Sequence, residues 1–433
     1  MGIKSQISNT FISQFVCFLF LSLYSIIIAR SLGPELRGVF FLMQSYLAII
    51  TVLGSFSLPT IMTVVLSRNE YSLTEVHSAA IIISVLLGVP SIFAGLVIFG
   101  TTHIVASVSL TSAIVYFSSS PLIIYKLMWN GIVLGMMDFK TLNIIAVFDS
   151  LTTLIPALIV VALLRYNLAG AMYAFLFSTL ISFFVQCLIM KKKYRPSFHY
   201  SNRCLKSIIG LGLKQHLASG IFNLCLRADA FILSALSSPQ NIGFYSVAKG
   251  VTNNILLTVN PISLVMFPHI SSASTEKSKA YTASLFKVIL FIGISVSSIF
   301  YFVAPIIFRI LYGTAYGNSI KHARILIYSF AFLIIQVPMN HWFIGNLNRP
   351  LLAAYVSASA LIFIVLFGLL GLKYLGDYGI SWGMLIANLL ASCLAIIIGS
   401  LNSFHLNSLL IRKQDFSGLI AYIKRGRMPA EHQ

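Results

Sequence analysis

Apolar residues dominate the chain in runs about 20 residues long, separated by short polar connections. A helix needs about 20 mostly apolar residues to cross the hydrocarbon core of a bilayer. No connection is long and polar enough for a separate soluble domain. We therefore predict an all-α, polytopic membrane protein that works within the bilayer. Its roughly twelve transmembrane helices are expected near residues 10–30, 39–59, 76–100, 104–125, 141–164, 167–190, 208–236, 247–268, 285–308, 322–344, 350–373 and 379–402.

The composition fits this prediction. Of the 433 residues, 58% are hydrophobic and 9% are charged, whereas a soluble domain has about 25% charged residues. The five cysteines are scattered, without the paired spacing of a zinc site, a redox motif or a disulfide framework. The sequence also lacks the GxxxxGK loop of ATP-binding proteins and the HExxH motif of zinc proteases. We expect neither a metal site nor a cofactor.

The net charge of +19 is unevenly distributed along the chain. If the N-terminus is cytoplasmic, 20 of the 29 lysines and arginines fall in cytoplasmic connections or in the termini, with Lys126 assigned to one connection. This satisfies the positive-inside rule and predicts that both termini lie in the cytoplasm. Membrane topology thus explains most of the positive charge, and nucleic-acid binding need not be invoked.

Two short motifs indicate an internal repeat. The segment "GPELRGVF" at 33–40 aligns with "SPQNIGFY" at 238–245 after a shift of 205 residues, and two weaker matches follow in the same order. An even number of helices in each half gives both halves the same orientation, as in parallel-repeat transporter folds. The predicted domains are a six-helix bundle at 1–190, a basic cytoplasmic linker at 191–207, a second six-helix bundle at 208–402 and a basic cytoplasmic tail at 403–433.

Polar and charged side chains interrupt the apolar helices. An arginine at the centre of a spanning helix costs about 2.5 to 3.5 kcal/mol even on the most lenient insertion scale, so such residues face water, a partner or a substrate. Cations outnumber acids in this set, which favours an anion that also carries hydroxyl groups, such as a sugar phosphate. The predicted translocation residues are Arg30, Gln44, Asn223, Arg227, Lys249, Asn253, Asn260 and Arg324.

An alternative role for each embedded charge is a structural ion pair between helices. Arg227 and Asp229 are two residues apart on a predicted helix, so they point to nearly opposite sides and cannot pair with each other. Asp229 therefore needs a separate partner, and Asp149 could neutralise one of the cations. Asp149, Asp229 and His216 are also the candidates for coupling transport to an ion.

The segments "ARSLGPELRGVFFLMQS" and "LRADAFILSALSSPQNIGFYSVAKG", with "MFPHIS" further along, resemble the polysaccharide-exporter branch of the multidrug/oligosaccharidyl-lipid/polysaccharide superfamily. The chain is most similar to O-antigen flippases of the Wzx type. This resemblance implies the two-bundle fold of multidrug exporters of the MATE type, and transport of undecaprenyl-pyrophosphate-linked oligosaccharide across the bacterial inner membrane. It also implies transport roles for the basic residues Arg30, Arg227 and Lys249, and other membrane proteins of polysaccharide assembly as candidate partners.

Two other functions are consistent with a chain of this kind. A drug or cation antiporter on the same fold would be expected to place acidic residues where this chain has basic ones. A membrane-embedded polysaccharide polymerase or glycosyltransferase would be expected to carry its reactive residues on a large loop, and every predicted loop is short. We therefore expect a transporter and not an enzyme.

Overall fold

The computed structural model describes residues 3–102, 107–253, 266, 270–271 and 274–409, and it defines their side chains except for 3–8, 214–219 and 406–407. All regular secondary structure in these ranges is helical. The α helices are α1 Ile3–Gly54, α2 Leu58–Ser67, α3 Leu73–Thr101, α4 Leu110–Phe117, α5 Ser120–Gly135, α6 Phe139–Ala157, α7 Asn167–Lys193, α8 Asn202–Cys225, α9 Ala228–Leu236, α10 Pro239–Thr252, α11 Thr275–Leu311, α12 Ser319–Gly345, α13 Pro350–Leu375 and α14 Gly379–Leu401.

Eight helical stretches of the described chain are long and apolar enough to cross a membrane. Two of them, Asn9–Gly54 and Pro350–Leu401, each contain two of the predicted segments, so the eight stretches account for ten of the twelve. Of the two remaining predicted segments, 208–236 is helical but interrupted, and most of 247–268 lies outside the described residues. The protein is therefore a multi-pass α-helical membrane protein, as the sequence predicts.

The chain divides into two compact units. The first comprises Met1–Gly250 and Ile307–Ser319, and the second comprises Val251–Ile306 and Ile320–Gln433. Each has its own apolar core, with fully buried Trp129 in the first and fully buried Trp342 in the second. The first unit includes helices on both sides of the basic stretch 191–207, and the domain boundaries inferred from the sequence stay a prediction.

A kink inside α1 separates the first two predicted spans. Gly33 has φ 71° and ψ 173°, a backbone conformation in the positive-φ region that favours glycine. Pro34 follows at the position where a helix restarts, and proline is well suited there because its missing N–H would have no partner in the first turn. The 46 residues from Asn9 to Gly54 can thus supply two membrane crossings instead of one.

The two repeat motifs pack directly on each other within the first unit. A Cβ atom added to Gly38 would lie 1.8 Å from the carbonyl oxygen of Pro239, and a Cβ added to Gly243 would lie 1.8 Å from the carbonyl oxygen of Pro34. Each motif thus contributes a proline at a helix start and a glycine four residues later. The reciprocal contact gives a physical reason for the recurrence of this pattern, because only glycine lets the two backbones approach so closely.

Several predicted helix boundaries are wrong. The segment 208–236 is not one helix, because Arg227 has φ −128° and ψ −4° and separates α8 from α9. The predicted fourth helix does not end at 125, because helical structure continues through α5 to Gly135. Lys126 therefore lies within a helix and not in a cytoplasmic connection. Its polar contacts with neighbouring helices offset the cost of placing the charge there.

We predict that Gly38→Ala destabilises the protein by about 1 to 3 kcal/mol, the usual cost of overpacking a close contact. Thermal unfolding of the purified protein in detergent measures this effect. Gly250→Ala is the matched control, since Gly250 lies in the same helix as Gly243 and a Cβ there meets nothing within 4 Å. Equal melting temperatures for Gly38→Ala and the control would contradict the close helix crossing.

Candidate functional site

Arg227 lies at the break between α8 and α9, where it occupies the position before the first residue of α9. Its side chain is half-buried. It forms no ion pair with any carboxylate of the described residues. The sequence prediction that Arg227 and Asp229 do not pair with each other agrees with this geometry. Arg227 therefore places a positive charge inside the first unit without a carboxylate partner among the described residues.

Lys249 in α10 forms a buried ion pair with Asp229 in α9. The Lys249 ammonium lies 2.6 Å from Asp229 Oδ2 and also donates to the carbonyl oxygen of Leu226 at 2.9 Å. Tyr245 donates its hydroxyl to the same carboxylate oxygen. Asp229 is completely buried, so its charge depends on these partners. The break at Arg227 contributes to this arrangement, because a helix end leaves the Leu226 carbonyl available to the lysine.

Arg37, one residue before the glycine of the helix crossing, is a third embedded cation. Only 6% of the residue is exposed. Its Nη1 donates to Gln44 Oε1 at 3.2 Å, and Gln44 Nε2 donates to the Tyr24 hydroxyl at 3.4 Å. Its Nε is buried and has no hydrogen-bond partner among the described atoms. The guanidinium is also 6.0 Å from the centroid of the Phe40 ring, within the range of a cation–π contact.

Tyr116 in α4 lies close to Arg37 and within electrostatic range of Arg227. Its ring is 6.2 Å from that of Phe40, the ring beneath Arg37. Its hydroxyl is buried, makes no hydrogen bond within the described structure and lies within range of the charges of both arginines. This part of the first unit therefore contains several hydrogen-bond donors and the Asp229 carboxylate, whose Oδ2 accepts from Lys249 and Tyr245 and whose Oδ1 has no hydrogen-bond partner among the described atoms.

Arg37 is absent from the residues predicted from the sequence, because hydropathy places 31–38 in a connection between helices. The kink at Gly33 is shorter than that connection, and the second half of α1 already includes Arg37. A signal was present: Arg37 and Gln44 are seven residues apart, which places them on one face of a helix.

The other predicted translocation residues lie in varied surroundings. Arg30 is exposed and caps α11, donating to Leu311 O at 2.8 Å and to Ile310 O at 2.6 Å, a favourable position for a cation. Arg324 belongs to the second unit, where it donates to Tyr301 O at 3.0 Å and stacks over the Tyr301 ring. Asn223 is half-buried and Asn253 is exposed, whereas Asn260 and the His216 side chain lie outside the described residues.

Asp149, a predicted ion-coupling residue, forms an ion pair with Lys126. Lys126 Nζ lies 3.1 Å from Asp149 Oδ2, and Ser182 in α7 bonds to both side chains. The pair connects α5, α6 and α7 and is locally neutral. Together with Lys249–Asp229, it neutralises both of the embedded acids singled out from the sequence. Roles of Asp149, Asp229 and His216 in ion coupling stay predictions.

We predict that Asp229→Ala destabilises the protein by about 3 to 5 kcal/mol, because it leaves the Lys249 ammonium buried without its counter-charge. The double variant Asp229→Ala/Lys249→Ala is expected to recover part of this loss. Thermal unfolding in detergent of the wild type, both single variants and the double variant measures the coupling. Strictly additive losses would show that the two side chains do not act as a pair.

Comparisons with known proteins identify the fold and the family. The chain superposes on a multidrug resistance MATE family transporter of the MOP superfamily in its outward-facing conformation, with a TM-score of 0.67 and 19% identity over 92% of this chain and 95% of the other. The inward-facing conformation of such a transporter gives a TM-score of 0.69 and 18% identity, over 93% and 95% of the two chains. The chain therefore has the twelve-helix fold of these exporters, as the sequence predicts.

A curated relative is the amylovoran biosynthesis protein AmsL of Erwinia amylovora, which is 25% identical over 190 residues. The match covers 41% of this chain and spans about half of the relative, 47% of its length. The model of the polysaccharide biosynthesis protein family matches residues 27–321, about two thirds of the chain. This range includes both repeat motifs and the embedded residues Arg37, Arg227 and Lys249. The chain belongs to the polysaccharide biosynthesis protein family.

Proposed function

We propose that the protein is a flippase that moves undecaprenyl-pyrophosphate-linked oligosaccharide across the bacterial inner membrane. The observation that carries this proposal is the surplus of positive charge inside the first unit, where Asp229 pairs with Lys249 while Arg37 and Arg227 form no ion pair with a described carboxylate. Membership of the polysaccharide biosynthesis family and the fold of a transporter support it. The charge of the site supports this substrate class, because a diphosphate carries negative charge that would balance these cations.

The chemical roles in transport follow from the side chains. Guanidinium groups bind phosphate oxygens with paired, charge-assisted hydrogen bonds. Amide side chains such as Gln44 and Asn223 suit the hydroxyl groups of the sugars. In this proposal the protein alternates between inward and outward access, the headgroup crosses between the helices, and the lipid tail stays in the bilayer. An inside-negative potential favours outward movement of an anion by about 2.3 kcal/mol per charge per 100 mV.

The location and the partners belong to the same proposal. Both termini lie in the cytoplasm, and the lipid-linked glycan reaches the protein from the cytoplasmic leaflet. Membrane proteins that assemble the polysaccharide act on the flipped substrate at the other face. The large exposed apolar side chains of the described helices, including Phe177, Leu188 and Phe302, suit contact with lipid.

Export of a drug or a cation is the competing function, because the solved structures that this chain resembles include a multidrug resistance transporter. A cationic substrate requires acidic groups that are accessible to it. The acids Asp149 and Asp229 are instead paired with lysines. The charge balance therefore favours an anionic substrate.

We predict that deleting the gene stops surface polysaccharide formation and leaves lipid-linked repeat units on the cytoplasmic face of the membrane. Labelling of the lipid-linked glycan in right-side-out and inside-out vesicles measures which face it occupies. Unchanged surface polymer, in a strain without a second flippase, would refute the proposal. Shortened glycan chains with normal flipping would instead identify a polymerase.

We predict that Arg227→Ala abolishes translocation and that Arg227→Lys retains part of it, since the charge is kept while the paired hydrogen-bond geometry is lost. Complementation of the deletion strain, with protein levels checked by immunoblot, measures this difference. Arg68→Ala is the control, because the Arg68 side chain is 70% exposed and pairs with Glu70 on the surface. Full complementation by Arg227→Ala would exclude a role for this charge in transport.

A further inference from the structure

Hydrogen-bond donors without a partner among the described residues lie in the region of Tyr116. The Nε of Arg37 and the hydroxyl of Tyr116 are both buried without a hydrogen-bond partner in the described structure. The Arg227 side chain has no hydrogen bond or ion pair to the described residues, and its charge and that of Arg37 both act on the Tyr116 hydroxyl. Each of the three groups can donate to an anion.

The hydrogen bonds of Arg37 leave one edge of its buried guanidinium available to a ligand. Nη1 is engaged by Gln44, and Gln44 is in turn fixed by Tyr24. On the opposite edge, formed by Nε and Nη2, Nε is buried without a hydrogen-bond partner among the described atoms. This edge presents two parallel N–H donors, the arrangement that binds two oxygens of one phosphate. Gln44 and Tyr24 therefore hold Arg37 in place for a ligand, and the Nε donor of Arg37 still has no hydrogen-bond partner among the described atoms.

A structural role does not account for Arg37. A buried cation is normally paired with a carboxylate, because burial removes the water that stabilised its charge. None of the eight carboxylates in the described ranges forms an ion pair with Arg37. Its contacts with Gln44 and Phe40 are contacts with neutral groups. The charge is retained at a cost to stability, as is common at binding sites.

We propose that Arg37 and Tyr116 bind one phosphate of a lipid-linked diphosphate and that Arg227 binds the other. The proposal rests on the flippase function and specifies which side chains hold the headgroup. Two cations and a phenol hydroxyl match the charge and the acceptor groups of a diphosphate. Because Arg37 is almost fully buried, the ligand can enter only when the surrounding helices separate, which suits a protein that alternates between two conformations.

Binding of farnesyl diphosphate to the purified full-length protein in detergent tests the assignment. We expect Arg37→Met to weaken the affinity about ten- to hundredfold, the usual effect of losing hydrogen bonds to a charged ligand. Arg37→Lys should fall between Arg37→Met and the wild type. Tyr116→Phe should cause a smaller loss, and Arg68→Ala should bind as the wild type does.

Thermal stability without ligand provides the second readout. Arg37→Met should melt at the wild-type temperature or above, because it removes a buried charge that has no counter-ion. Farnesyl diphosphate should raise the melting temperature of the wild type and not that of Arg37→Met. A ligand-free Arg37→Met protein less stable than the wild type would show that Arg37 is a packing residue and would overturn the proposal. Wild-type affinity in Arg37→Met would overturn it equally.

Two further ligands separate the possible failures. Inorganic pyrophosphate should bind more weakly than farnesyl diphosphate, since it lacks the apolar tail, and equal affinities would identify a site for free diphosphates and not for lipids. A wild-type protein that binds neither compound would contradict the flippase function itself. Binding by the wild type with no effect of Arg37→Met would refute only the role of Arg37.

Discussion

A positive charge inside the bilayer requires a counter-charge, water or an anionic ligand, and this constraint organises the first unit of the structure. The chain has few acids, and two that are embedded in the described helices form ion pairs, Asp149 with Lys126 and Asp229 with Lys249. Arg37 and Arg227 are left without a carboxylate among the described residues. In the proposed function, a negatively charged substrate balances these two charges.

The repeat explains how these charges come together. Pro34 and Pro239 each begin a helical segment, and Gly38 and Gly243 allow the two segments to cross at backbone contact. Arg37 is adjacent to this crossing in sequence, and the helix that carries Lys249 starts from it. Close packing of the two repeats therefore builds the region in which the embedded cations lie, and one unit contains groups from both repeats.

The sequence predicted the fold class well, because a run of about 20 apolar residues is typical of a transmembrane helix. The distribution of positive charge agrees with this interpretation. The sequence predicted local breaks poorly. The interruption at Arg227 occurs within an apolar stretch, where hydropathy gives no signal, whereas the kink at Gly33 falls between two predicted spans. Lys126 was assigned to a loop for a similar reason, because a charge inside a helix is tolerated only through partners on distant helices, Asp149 and Ser182.

The candidate site was predictable only in part. Arg227, Lys249 and Gln44 could be recognised as costly residues in apolar helices, whereas the pairing of Lys249 with Asp229 depends on the three-dimensional arrangement. Arg37 is the clearest omission, since its importance comes from burial and from the absence of a carboxylate among the described residues.

A cryo-EM structure of the protein in lipid nanodiscs with a prenyl diphosphate tests the central claim most directly. We expect phosphate density within hydrogen-bond distance of Arg37 and Arg227, with the Lys249–Asp229 pair intact beside it. Phosphate density elsewhere, with both arginines paired to carboxylates or turned toward lipid, would contradict an anion-binding role for these residues.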